Sequence, residues 1–493
     1  LGLLAGTIGA AGPGGSLRMT TYDFPYLVDG LQLIIVGLGM YGVPEIISLL
    51  RGDQSVAQGH KLGAGWFDGV RDWWQNKWLS TKCAMIGVVV GVIPGLGGSV
   101  VDWIAYGYTV QSSKDRDNFG KGDIRGVIGP ESSANATMSG ALVPTLIFGI
   151  PGSGTMAVFL GGLALLNLSP GLHMVRQNLD VTYTIVWSLA LANVIGAGIC
   201  ILLSSQIAKF SKIRFAILAP FLFMLISFAA FQSRQSIGDL IALIVIGFLG
   251  ILLRRFDYSR PAFLIGFVLS NQAEAFANMA NQIAGARFNR GFWAGMEYIA
   301  SPLALAILAL TVASIVIGLR SSKFINEHDA EATGGKRTPV IFLLCITAYV
   351  AVSVYDAAMI SRLGDKIFPL CVGIVTLVAC ASLLLRMRRA PENDPVFVDL
   401  ENGGADEKLA VGLWPTLAWF AALLALSLLF GFVIGLALFL LAFFRYRANL
   451  SILMTLVYAA GGVAAIMLFA GALGRDFPPG LLQAYTDLPW PLR

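Results

Sequence analysis

The polar groups best placed to do chemistry in this chain lie within residues 91–157, embedded in strongly apolar sequence. Two proline-glycine breaks frame them. The first is Gly91-Val92-Ile93-Pro94-Gly95-Leu96-Gly97-Gly98-Ser99, and the second is Phe148-Gly149-Ile150-Pro151-Gly152-Ser153-Gly154-Thr155. Proline removes a backbone donor, and glycine admits the positive φ of a tight turn, so each break frees backbone N–H and C=O groups. Such groups are costly in hydrocarbon unless protein or a wet cavity meets them. Broken helices that point their positive N-terminal ends inward are a common way to hold an anion at membrane depth. One Pro-Gly pair alone reads as a kink or an edge loop. Two pairs, with Glu131 and Asn135 between them, read as a site.

The residue types at these breaks suit a carboxylate ligand. Backbone N–H groups freed by the Pro94-Gly95 and Pro151-Gly152 turns, at Gly95, Gly97 and Gly152, with the hydroxyls of Ser99, Ser153 and Thr155 and the carboxamide of Asn135, can bind a carboxylate without burying an unpaired positive charge. Asp102 and Glu131 are the acids available to bind Na⁺ or accept H⁺. Ser99, Asp102 and Tyr106, spaced three and four apart, share one helical face. An acid in a spanning segment is a functional candidate; the plainer reading, a charge that pairs or snorkels at the membrane edge, weighs equally for Asp102. Catalytic signatures are missing. There is no phosphate-binding Gly-x-x-x-x-Gly-Lys-Ser/Thr loop, and no histidine in a membrane run could serve Ser153 as a base. The chain therefore reads as a non-enzyme that needs no organic cofactor. His60, His173 and His328 are scattered, and Cys83, Cys200, Cys345, Cys371 and Cys380 lack metal-ligand spacing, so no metal site is expected. Most of the cysteines fall within apolar runs and read as small buried side chains.

The elements that position these groups follow from composition. Of 493 residues, 56% are hydrophobic and only 13% charged, with mean hydropathy +0.74. Soluble domains carry about 25% charged residues. The chain reads as an all-α polytopic membrane protein with roughly 11–13 membrane segments, counting about 20 apolar residues per crossing. Two of these are broken or re-entrant at the Pro-Gly pairs. The net charge of +5 does not suggest nucleic acid; it belongs in cytoplasmic loops. Basic clusters at 209–214, 254–260, 320–337, 386–389 and 445–447 are all placed inside. That requires the short run 261–270 to extend into a crossing, and 411–444 to be a hairpin turning near Gly431. Residues 51–82, with Trp66, Trp73, Trp74 and Trp78 among charges, read as an amphipathic helix at the interface. The polar stretch 320–339 reads as a linker between residues 1–319 and 340–493.

The ordered motifs resemble a known family. Gly6-Thr7-Ile8-Gly9 with Arg18, residues 91–98, Tyr106, Phe119-Gly-Lys-Gly, Pro130-Glu131 with Asn135-Ala136, Val143-Pro144 and residues 149–153 are similar to the TctA-type large membrane subunit of tripartite tricarboxylate transporters. The match runs over about residues 1–319. Residues 340–485 resemble the TctB-type small subunit, through Phe368-Pro369, Gly431-Phe432-Val433-Ile434 and Phe477-Pro478-Pro479-Gly480. The resemblance implies a fusion of two membrane subunits, multi-pass in a bacterial inner membrane. It also implies a periplasmic solute-binding protein as partner, and uptake of a tricarboxylate or related carboxylate driven by a cation gradient. A passive channel or a non-transporting scaffold is the competing reading. Two departures accompany it. Only the second of the family's two related halves is recognised, and Asp102 and Ala134-Asn135 stand where a small residue and an Asn-Asn pair are expected.

Overall fold

A computed structural model describes the chain except for residues 11–14, 21–24, 53–65, 94–96, 114, 120, 167, 169, 211–213, 233, 303, 310, 313–335, 392–393, 398, 400–411, 475–476, 478–479 and 483–493. Most of the expected linker at 320–339, and Pro94-Gly95 of the first break, fall outside the described residues.

The all-α expectation holds. The helices are α1 (Gly2–Gly6), α2 (Leu33–Gly37), α3 (Val43–Gly52), α4 (Trp66–Gln75), α5 (Lys77–Val92), α6 (Gly97–Ser112), α7 (Arg125–Phe148), α8 (Gly154–Leu165), α9 (Leu172–Arg176), α10 (Leu179–Phe210), α11 (Phe215–Phe231), α12 (Ile237–Arg255), α13 (Arg260–Phe288) and α14 (Phe292–Ile299). After the gap come α15 (Arg337–Met359), α16 (Leu363–Arg389), α17 (Leu413–Phe430), α18 (Phe432–Ala442) and α19 (Ile452–Leu473). A π-turn, Leu38–Gly42, joins α2 to α3. Two short antiparallel strands, β1 (Gly9–Ala10) and β2 (Leu17–Arg18), make a hairpin near the start.

Among the described residues, seven helical stretches are long and apolar enough to cross a membrane: Leu33–Arg51, Leu179–Ser204, Ile237–Arg255, Arg337–Met359, Leu363–Arg389, Leu413–Phe430 and Ile452–Ala472. The second Pro-Gly break and Gly431 divide further apolar sequence into shorter helices, and Phe215–Phe231 is apolar but only 17 residues long. The run at 261–270 does extend, becoming the 29-residue α13. Its second half carries Asn271, Gln272, Glu274, Asn278, Asn281 and Gln282, which hide its helical length from a hydropathy window. The tryptophan-rich stretch forms α4 and the start of α5, with Trp73, Trp74 and Trp78 exposed.

The chain divides into two compact units. One comprises Leu1–Gln32 and Phe248–Lys408, the other Leu33–Gly247 and Leu409–Arg493, so each takes residues from both sides of 320–339. In the first unit α1 lies against α13, where Gly6 meets Ser270 and the Ser270 hydroxyl donates to the Leu3 carbonyl at 2.9 Å. Helices α15 and α16 form a hairpin closed where Gly373 receives the Val354 side chain. In the second unit α17 and α18 fold back at Gly431, whose φ of 82° only glycine adopts readily. The expected hairpin is therefore present. Gly435 packs on the Leu426 backbone, and Phe477 stacks on Phe432 at 5.9 Å. Of the cysteines, Cys83 and Cys380 are buried, whereas Cys200, Cys345 and Cys371 point outward from apolar helices; the reading of buried side chains fails for these three.

Candidate functional site

The breaks are positioned by one unusually close helix pair. Helix α5 presents Gly87 and Gly91, and α7 presents Ser133, Thr137, Gly140 and Ala141. A Cβ at Gly87, Gly91 or Gly140 would run into the backbone carbonyl of Ser133, Thr137 or Val88 respectively. Small residues let the two backbones touch, which is how helices associate where no hydrophobic driving force separates protein from lipid. The Thr137 hydroxyl donates to the Gly87 carbonyl at 3.2 Å and to its own helix at Ser133. Ser80 and Ser132 share a hydrogen bond of 2.8 Å. These pairs advance together along both chains, so α5 and α7 run parallel. Helix α6 returns between them, with Thr109 beside Cys83 and Gly129. Both breaks consequently emerge at the same end of the pair.

The second break is built in three steps. Gly149, with φ 68°, ends α7, and the N–H groups of Gly149 and Ile150 donate to the Thr145 and Pro144 carbonyls. The Thr145 hydroxyl donates within α7 to the Ala141 carbonyl at 2.6 Å and lies 3.5 Å from the Ile150 carbonyl of the turn. The chain then folds back along α7 until Gly152 sits against Ala141 and the Gly91 carbonyl, where a Cβ would approach to 2.8 and 3.0 Å. Ser153 starts α8: its hydroxyl accepts from the Met156 N–H at 3.3 Å, and its carbonyl from Ala157 at 3.0 Å. Ser153 is thus an N-cap. The starts of α6 and α8 both lie at this end, each leaving orphan N–H groups and a positive dipole end.

The expected site residues divide into those gathered here and those that are not. Pro151 and Gly152 are buried, Gly152 against Gly91 and Ala141, Ser153 is half-buried, and Thr155 is exposed in the first turn of α8. Gly97 and Ser99 open α6. Asp102 is exposed on α6, and Tyr106 packs edge-on against Phe119. Glu131 and Asn135 occupy the exposed face of α7, opposite Ser133 and Thr137. At about 1.5 Å per residue, Asn135 lies roughly 9 Å and Glu131 roughly 15 Å along α7 from the level of Ala141 and Gly152. Just before α7, Asp123 accepts from the Arg125 guanidinium at 2.6 Å and from its backbone N–H at 2.9 Å. Those hydrogen bonds, the side-chain one foremost, hold the Asp123 carboxyl below the usual aspartate range.

A second polar centre, in the other unit, was not anticipated. Arg18, only 2% exposed, makes a two-pronged ion pair with Glu274 of α13 at 2.8 and 2.6 Å. The same guanidinium donates to the Asp365 carbonyl. Ser16 donates to the buried Asp365 carboxylate at 2.5 Å, and the Met19 N–H, presented by a left-handed φ of 52°, donates to Asp356 at 2.8 Å. Asn278, one turn beyond Glu274, is buried with its Nδ2 unpartnered, as is Arg18 Nε. The sequence signal was the Glu274/Asn278 spacing on one helical face, which lies beyond the apolar run 261–270 that marked the helix. Among the described residues no cluster of His, Cys, Asp and Glu could hold a metal ion.

Residues 1–265 match the Tripartite tricarboxylate transporter TctA family. The chain belongs to the TctA family. Two relatives from Agrobacterium vitis are similar to this TctA protein. One is the "Uncharacterized 52.8 kDa protein in TAR-I ttuC' 3'region", 28% identical over 65% of this chain and 62% of its own length. The other is the "Uncharacterized protein in TAR-II ttuC' 3'region", 28% identical over 48% of this chain and 95% of its own length. The chain thus spans less than two thirds of the first relative. No solved structure matches it. Membership makes this a multi-pass component of a transporter family, and the gathered breaks lie inside the matched region.

Proposed function

We propose that the chain is the permease component of a binding-protein-dependent secondary transporter in a bacterial inner membrane. It imports a tricarboxylate or related carboxylate down a Na⁺ or H⁺ gradient. The observation that carries this reading is the meeting of the second break with the base of the first, where Gly152 rests on Gly91 and two helices begin. Orphan N–H groups and aligned dipoles there favour a carboxylate. Pro94, Gly95, Gly97, Ser99, Pro151, Gly152, Ser153 and Thr155 form the substrate end. Asn135 lines the approach along α7, and Asp102 and Glu131 couple the cation. Residues 340–493 act as a TctB-like small subunit carried on the same chain. In support, Asp356 and Asp365 of the α15–α16 hairpin accept hydrogen bonds from Ser16, Arg18 and Met19 of the family-matched segment.

Uptake of labelled tri- and dicarboxylates into proteoliposomes, with the periplasmic binding protein added outside, tests the reading. Uptake is expected to saturate, to need the binding protein, to vanish when the cation gradients are dissipated, and to be lost in Gly152→Ala. Non-saturating uptake that ignores the gradient would make the chain a passive pore. No uptake under any gradient would leave it a scaffold.

A further inference from the structure

The cytoplasm-assigned end of α16 carries a groove that the proposed substrate and coupling residues do not include. A groove of about 570 Å³ is lined by Ser382, Leu385, Arg386, Arg389, Ala390, Pro391 and Asp394. Arg386 and Arg389 stand three apart, so their guanidiniums share one helical face. At about 100° per residue, Cys371, Val375, Val378, Ser382 and Leu385 fall on that same face, within an arc of about 100°. Val375, Val378 and Leu385 are all exposed. The result is an apolar runway about four turns long that ends in two cations and a small polar recess.

Phosphate-bearing ligands are the chemistry that two guanidiniums suit, through planar, forked donors. The apolar runway decides the source: a free phosphate has no use for it, whereas an acyl chain lies along it. We propose that this groove binds the phosphate headgroup of an anionic phospholipid, with Arg386 and Arg389 as its donors and the Cys371–Leu385 face as its acyl track. The carboxylate in the groove does not fill the site. Asp394 accepts from the Val396 N–H at 2.9 Å and stands 3.7 Å from the Arg386 guanidinium, beyond hydrogen-bond length. Arg389 has no ion-pair partner among the described residues. Asp394 therefore weakens, without cancelling, the attraction of the two guanidiniums for an anionic headgroup.

Native mass spectrometry of the purified full chain, titrated with phosphatidylglycerol, phosphatidylcholine or inorganic phosphate, reads the binding directly. Phosphatidylglycerol is expected to bind more tightly than phosphatidylcholine. The double substitution Arg386→Gln with Arg389→Gln should weaken it about thirtyfold, each cation contributing roughly fivefold near an anionic surface. Asp394→Asn, which leaves both cations in place, should tighten it severalfold. Unchanged phosphatidylglycerol affinity in the double variant would overturn the site, as would unchanged affinity in Asp394→Asn. Displacement of phosphatidylglycerol by equimolar inorganic phosphate would overturn the lipid assignment.

Discussion

Two regions of this molecule solve the problem of placing polar groups inside apolar surroundings in opposite ways. Among the described residues, the α5–α7 seam holds no ion pair. It brings backbones together through glycine, and its hydroxyls donate back to main-chain carbonyls, as Thr137 does to Gly87 and Ser133. The Arg18 centre instead buries full charges and pairs them with groups on α13 and the α15–α16 hairpin, leaving Arg18 Nε unpartnered. The difference teaches where each can yield. A seam of small residues fails by being pushed apart, and it tolerates loss of any single hydrogen bond. A buried ion pair fails by losing one member, because the other is then stranded.

The largest effect separating the two should come from Glu274→Ala. It strands Arg18 and should cost about 3–5 kcal/mol, read by thermal unfolding of the purified chain. Converting both residues to Met should recover most of that loss, because the desolvation cost disappears with the charges; no recovery would mean that the pair has a role beyond mutual neutralisation. Next is Gly87→Val, which forces a branched side chain onto the Ser133 carbonyl. About 1–3 kcal/mol of destabilisation is expected, with uptake lost even in the folded fraction. A folded Gly87→Val chain with full uptake would show that α5–α7 contact does not set the breaks.

Smaller changes sharpen the contrast. Ser153→Ala removes the α8 cap and should cost about 1 kcal/mol. If uptake falls far more than stability does, Ser153 also contacts substrate; parallel losses confine it to capping. Glu131→Gln, on an exposed face, should alter stability by less than about 0.5 kcal/mol while reducing gradient-driven uptake. Unchanged uptake would remove Glu131 from coupling. Least of all, acid should loosen the turn before α7. The folded-state pKa of Asp123 is depressed, so its contribution is complete above the unfolded value of 3.8 and is lost as pH falls below it. Asp123→Asn should flatten that acid limb in a pH series of amide exchange over residues 123–130.

The breaks were legible because proline and glycine act locally. Pro151-Gly152, Gly149 and the Gly431 turn each announce themselves within three residues, and each is a turn in the structure. The faces of α7 were harder. Glu131, Ser133, Asn135 and Thr137 read as one polar string, yet the helical period sends Ser133 and Thr137 to α5 and the other two outward. The Arg18 centre was hardest. Its partners are 256 and 347 residues away, and the host helix α13 loses its apolar signature at residue 270. No local pattern encodes a pairing at that range.

That separation has a biosynthetic consequence. A ribosome adding about 5–20 residues per second needs roughly 13–50 s to travel from Arg18 to Glu274, and roughly 17–70 s to reach Asp365. Throughout that interval the guanidinium is a nascent-chain charge without its mate. Arg18 is made long before its partners, so closure of this network certifies that translation has passed residue 365.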